Sequence, residues 1–185
     1  MKYSKLHIEA LIEACKTKNQ NAQMELYEHF HKSLYRTAFS ILKNREDAQD
    51  AMHEGMVSAF DKLDQYKGRG SFEGWLRKIV VRKCITTYHY NLQHIIGIAL
   101  EDHIELSEDP EAETSSLPAV KPHQLEDALN KINKRYSLIL KLYYLEGFSH
   151  EEISNYLNWS ASNCRTTLSR ARAQLKKQLN EGSRI

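Results

Sequence analysis

Apolar side chains recur at intervals of three and four along most of the chain, and Val and Ile are nowhere arranged in the strict alternation of a half-exposed strand. The pattern predicts an all-α fold. Four helices fit the first half: Leu6 to Lys16, Ala22 to Leu42, Glu46 to Tyr66 and Phe72 to Gln93. The turn "YKGRGS" separates the last two, because its glycines stop one helix and Ser71 can cap the next. After an interruption, "HQLEDALNKIN" and "KRYSLILKLYYLEG" predict two further helices behind Pro122, which suits a first helical turn. The interruption, "EDHIELSEDPEAETSSLPAVKP", is rich in Pro, Ser and acid and has no apolar stripe, so it reads as a linker. Two small helical domains result, residues 1–95 and 121–185, joined by an acidic segment at 96–120.

The last pair of helices is the most sharply specified. Ser149 followed by Glu152 forms a capping box, and Phe148 and Ile153 stand at the positions of a hydrophobic staple. Asn158, Trp159 and Ser160 then break the pattern, with Ser160 placed to cap a second helix. Two helices joined by so short a turn cross steeply, as in a helix-turn-helix. In the second, Cys164, Leu168, Ala171, Leu175 and Leu179 form one apolar stripe, so Cys164 reads as packing rather than chemistry. The opposite face is expected to present Ser162, Asn163, Thr166, Ser169 and Arg170, flanked by Arg165 and Arg172, with Lys176 and Lys177 further along. Small polar groups early and cations later suit a helix whose first turns meet base edges while the rest neutralises phosphates.

Charge adds a second layer, because the net +2 conceals three blocks. Residues 1–93 carry 15 Lys/Arg against 11 Asp/Glu, residues 94–120 none against 7, and residues 121–185 carry 11 against 6. The chain is basic, acidic, basic. Within the third helix Asp47, Asp50, Glu54 and Asp61 share one side, and Met52, Met56, Ala59, Phe60 and Leu63 another. An acidic face beside a DNA-binding module favours a basic protein partner. In the fourth helix Phe72, Leu76, Ile79 and Val80 form the buried side, and Lys78, Arg82, Thr86 and His89 recur on another. Near Trp75, Tyr88 and Tyr90 these groups suit a phosphate backbone with stacked bases, although Trp75 at helical spacing equally suits the core.

Other classes fit poorly. No apolar run is long enough to span a membrane, and the first residues lack a signal-peptide core, which predicts a cytosolic protein without membrane insertion. Cys15, Cys84 and Cys164 lack CxxC spacing, so no disulfide framework or zinc site is expected. His29 and His31 fall on different sides of a helix, His89 and His94 have no paired ligand motif, and no glycine-rich phosphate loop occurs. Neither a metal, a cofactor nor a catalytic activity is predicted. A ligand-sensing repressor would need an apolar pocket and a dimer surface, whereas this pattern predicts a chain that is a monomer when free.

"REDAQDAMHEGMVSAFDKLDQYKGRGSFEGWLRKIV", the acidic segment and "LEGFSHEEISNYLNWSASNCRTTLSRARAQL", in that order, resemble the extracytoplasmic-function class of bacterial RNA polymerase sigma factors across nearly the whole chain. The resemblance rests on Asp47 to Asp50 with Glu54, on Phe72, Trp75 and Leu76 after the glycine turn, and on Ser149 to Ile153 with Arg170 to Arg172. It implies that the first domain is sigma region 2, binding the polymerase clamp helices through Asp47, Asp50 and Glu54 and the −10 element through Lys78, Arg82, Thr86 and His89. It implies that the last is region 4, binding the polymerase flap and contacting the −35 element through Ser162, Asn163, Arg165, Thr166, Ser169, Arg170 and Lys177. Core polymerase and promoter DNA are the implied partners, with an anti-sigma factor as an inhibitor. The sequence departs from the family pattern at His53, Met56, Arg82, Thr86, Ser162 and Thr167.

Overall fold

A computed structural model of the chain describes residues 4–96 and 121–182, and the acidic stretch predicted as a linker lies almost entirely outside the described residues. The described residues are mainly helical and fall into two compact units, residues 4–96 and residues 121–182.

In the first unit α1 (Lys5–Lys16), α2 (Gln20–Leu42), α3 (Arg45–Asp61) and α4 (Phe72–Ile96) pack around one core. Each start is set by a short polar side chain that accepts an orphan backbone N–H: Ser4 from His7, Asn19 from Ala22, Asn44 from Glu46 and Asp47, and Ser71 from Gly74. The α2 stripe Leu26, Phe30, Leu34 and Ala38 is buried against Ala48, Met52, Met56 and Ala59 of α3 and Leu76, Val80 and Cys84 of α4. At Gly55 α3 and α4 approach closely. A Cβ there would stand 2.6 Å from Val80 Cγ2 and 3.0 Å from Val80 Cα.

The third helix is shorter than its pattern predicts. It stops at Asp61, and a single 3₁₀ turn, Leu63–Gln65, follows. Buried Leu63 explains the change, since a tighter turn carries its side chain back into the core. Phe60 is only half-buried, and Trp75 is shared between core and surface. Tyr66, Phe72 and Trp75 form one aromatic cluster with ring centroids 5.1–5.5 Å apart, Phe72 stacked on Trp75 and Tyr66 edge-on to Phe72.

The second unit comprises α5 (Pro122–Lys131), α6 (Lys134–Leu140), α7 (His150–Leu157) and α8 (Ala161–Gly182). The long helix predicted from Lys134 to Gly147 gives way after Leu140 to a π-helical turn, Lys141–Leu145. Its widened bonds, Glu146 N–H to Lys141 O and Phe148 N–H to Leu142 O, seat Phe148 in the core while Gly147 takes a left-handed φ of 69°. The capping box forms as predicted: Glu152 N–H reaches Ser149 Oγ at 3.1 Å and Ser149 N–H reaches Glu152 Oε2 at 2.9 Å. Phe148 and Ile153 are both buried beside it. Asn158, in the left-handed region at φ 55°, ends α7, and Ser160 Oγ caps α8 through Asn163 N–H.

Candidate nucleic-acid and partner interfaces

The acidic side chains of α3 do not form one uniform face. Asp50 is exposed, whereas Asp47 is half-buried and accepts a 2.7 Å hydrogen bond from Asn91 Nδ2 on α4. Glu54 stands in solvent and pairs with Lys83 Nζ at 3.3 Å. Two of the three predicted docking acids therefore also brace α4 against α3. Asp50 is exposed, and Val57, two turns further along α3, is an exposed apolar side chain.

Between α3 and α4 lies an open groove of about 300 Å³ lined by Glu54, Ser58, Lys62, Gln65, Trp75 and Ile79, and by Arg82, Lys83, Thr86 and Thr87. Arg82 and Thr86, two of the four residues expected to meet −10 DNA, line it and are exposed. Lys78 and His89, half-buried, do not line the groove. Lys62, Gln65, Lys83 and Thr87 were missed by sequence reasoning. Lys83 and Thr87 repeat the spacing of Arg82 and Thr86 one position on, a signal that was available, but Lys62 and Gln65 come from the turn after α3 and only folding brings them there. Thr86 and Thr87 donate their hydroxyls to the carbonyls of Arg82 and Lys83 at 3.1 and 3.2 Å, so those hydroxyls keep only acceptor capacity for a ligand. The rim thus combines the cations of Lys62, Arg82 and Lys83 with the Gln65 amide, the Ser58 hydroxyl and the Trp75 indole, a set suited to a nucleotide's phosphate and base.

The start of α4 is anchored separately. Ser33 Oγ of α2 and Arg77 Nη2, the latter at 3.0 Å, both donate to Glu73. The Ser33 hydrogen bond, reinforced by Arg77, holds the Glu73 carboxyl below its ordinary pKa.

In the second unit the stripe Cys164, Leu168, Ala171, Leu175 and Leu179 is buried, as predicted, and burial pushes the Cys164 thiol pKa up. Ser162, Arg165 and Lys177 are exposed, and Thr166, Ser169 and Arg170 are half-buried on the outer side of α8. Asn163 is the exception: the structure corrects its placement on the outer face. It is only 9% exposed, and its Oδ1 accepts from Thr167 Oγ1 at 3.0 Å and from Arg135 Nη2 at 3.4 Å. Because α8 packs against α5, α6 and α7, its buried arc is wider than a single stripe and takes in this flank. Arg135 in turn lies 4.2 Å from the ring centroid of Trp159, in the turn between α7 and α8. Among the described residues no helix is long and apolar enough to cross a membrane, and no group of three or more His, Cys, Asp or Glu is arranged to hold a metal ion.

Comparison with known proteins agrees on both units. Residues 26–91 match the family described as sigma-70 region 2, and residues 123–175 match sigma-70, region 4. The RNA polymerase sigma factor YlaC of Bacillus subtilis is 26% identical over 165 residues, covering 89% of this chain and 95% of YlaC. The ECF RNA polymerase sigma factor SigW of the same organism is 23% identical over 184 residues, covering 94% and 97%. Among solved structures, the sigma factor RpoE of Bartonella quintana, crystallised with the anti-sigma factor NepR, shares the fold with a TM-score of 0.51 at 18% identity, over 85% of this chain and 96% of that one. An acid-faced, grooved helical unit followed by a capped helix-turn-helix, each matched in order to its own sigma region, makes this chain a member of the extracytoplasmic-function class of sigma-70 factors.

Proposed function

We infer that the chain binds core RNA polymerase and directs initiation at promoters carrying a −10 and a −35 element. One observation carries this reading: a doubly capped helix pair with a polar and basic outer face shares the chain with a unit whose acidic side chains and basic groove lie on adjoining helices, α3 and α4. A DNA-binding module alone needs no such unit. On this reading residues 1–95 form the region 2 unit, 96–120 the connecting segment and 121–185 the region 4 unit.

Asp50 and Glu54, with Asp47 behind them, meet the polymerase clamp helices. Arg82 and Thr86, with Lys78 and His89 along the same helix, meet −10 DNA. The outer face of α8 enters the −35 major groove, where Arg165, Thr166, Ser169 and Arg170 approach base edges and Ser162 and Lys177 lie toward the backbone. Neither contact set needs to be strong alone, because tethering converts the second binding event into an intramolecular one. The polymerase supplies the chemistry and this chain the choice of start site, in the cytoplasm, where the template is. The sigma factor RpoE was captured with an anti-sigma factor, and an inhibitor of that kind is a fitting partner here.

The test is reconstitution. The full chain should co-elute with core polymerase, and the complex should initiate on a template library randomised upstream of the start site. The initiating templates should converge on two spaced motifs. A chain that neither joins core polymerase nor selects any motif overturns the reading.

A further inference from the structure

Asn163 has a task distinct from base contact, and the inference rests on reading α8 as the helix that meets the −35 element. Two donors converge on its side-chain oxygen, the Thr167 hydroxyl one turn along α8 and the Arg135 guanidinium at the start of α6. A guanidinium has donors only, so the atom facing it is the amide oxygen, and the Thr167 hydroxyl must then donate as well. The same guanidinium lies over Trp159 in the interhelical turn, and Asn163 N–H is tied to Ser160 Oγ at 3.1 Å. The network therefore joins α6, the turn and the first two turns of α8 around one nearly buried side chain.

What it adds follows from the remaining contacts. Cys164, Leu168 and Ala171 hold α8 by apolar packing, a non-directional force that sets rotation and register less sharply than directional bonds do. A reading helix cannot tolerate these. Each residue advances the helix by 1.5 Å and about 100°, so a fraction of one step carries a side chain away from its base edge. Hydrogen bonds are directional, and the Arg135–Asn163–Thr167 set fixes rotation and register where the helix begins. We propose that Asn163 is a positioning residue for promoter recognition: without touching DNA, it locks the first turns of α8 so that Arg165, Thr166, Ser169 and Arg170 reach base edges together.

The experiment uses the full chain in complex with core polymerase and a duplex library randomised across the −35 window, with bound DNA sequenced. Asn163→Ala should flatten the enriched motif at all its positions together, reducing discrimination against scrambled DNA about fivefold, the scale of one lost buried hydrogen bond. Asn163→Asp is nearly isosteric and keeps the acceptor for Arg135 and Thr167, so it should stay within about twofold of the parent, whereas a carboxylate facing DNA would be repelled. Thr167→Val should flatten the motif as Asn163→Ala does, and the two together should add little. The proposal is overturned if Asn163→Asp loses as much as Asn163→Ala, if Asn163→Ala leaves the motif unchanged, or if any of these changes alters one base position alone, which would mark a direct reader. If the parent itself enriches no −35 motif, the reading of α8 falls and the positioning role with it.

Discussion

Replacing Gly55 by Ala sets two known effects against each other. In an open helical position the change should stabilise, because Ala exceeds Gly by about 0.8–1.0 kcal/mol in helix propensity. Here the new methyl would stand 2.6 Å from Val80 Cγ2 and 3.0 Å from Val80 Cα. Carbon atoms prefer about 3.5–4.0 Å; rotating the Val80 side chain relieves the Cγ2 contact but not the backbone one, so α4 must retreat by about 0.5–1 Å. Overpacking of this kind costs about 1–3 kcal/mol. The clash should prevail, leaving a net loss of about 1 kcal/mol, the difference between mid-range values of about 2 and about 0.9 kcal/mol. The two tryptophans make the assay specific, because Trp75 belongs to the first unit and Trp159 to the second. In a Trp159→Phe background, urea unfolding followed by Trp75 emission reports the first unit alone, and Gly55→Ala should lower the midpoint by about 0.5–1 M. Glu54 adjoins the displaced residue, so its pairing with Lys83 and the shape of the α3–α4 groove should change as well. An unchanged or raised midpoint would show that propensity governs and that the two helices have room to spare.

Reversing Asp50 and Glu54 to Lys should weaken binding to core polymerase in a salt-sensitive manner while leaving helicity intact, since the Glu54–Lys83 ion pair that is lost is exposed and worth less than about 1 kcal/mol; competition for core against the parent measures it. Arg165→Ala should cost about 1–3 kcal/mol on the selected −35 element and much less on scrambled DNA, whereas Lys177→Ala should weaken both alike and reduce the salt slope by about one phosphate, read from binding of the complex at several salt concentrations. Glu73 has a folded-state pKa below its unfolded value of 4.5, so its stabilising contribution is complete above that value and is lost as pH falls through the lower folded pKa; the stability gap between the parent and Glu73→Gln should therefore be open at neutral pH and close in acid, in unfolding experiments across pH 3–7. All three cysteines are buried, and Cys15 is pushed up to about 11, so a thiol reagent at neutral pH should label the native chain slowly and three sites per chain once it is unfolded.

Local sequence determined the parts of this protein that depend on neighbours within a turn or two. The Ser149–Glu152 box, the Ser160 cap and the stripe from Cys164 to Leu179 were legible because capping and helical periodicity act over three or four residues. Likewise the order of an acid-faced helix, a glycine turn, an aromatic-bearing helix and a basic recognition helix could be read directly, and with it the resemblance to sigma factors. Tertiary structure decided how the polar residues on those helices are used. Asp47 bonds to Asn91 and Glu54 to Lys83 across gaps of 44 and 29 residues, so α3's acids serve α4 as well as a partner, and no periodicity encodes that pairing. Leu63 shortened α3 by turning back into the core, and Lys62 and Gln65 thereby reached a groove shared with Arg82 and Thr86. Asn163 moved inward because three helices pack on α8 and widen its buried arc beyond the apolar stripe, and because Arg135, 28 residues earlier, supplies the donor that makes burying its amide tolerable.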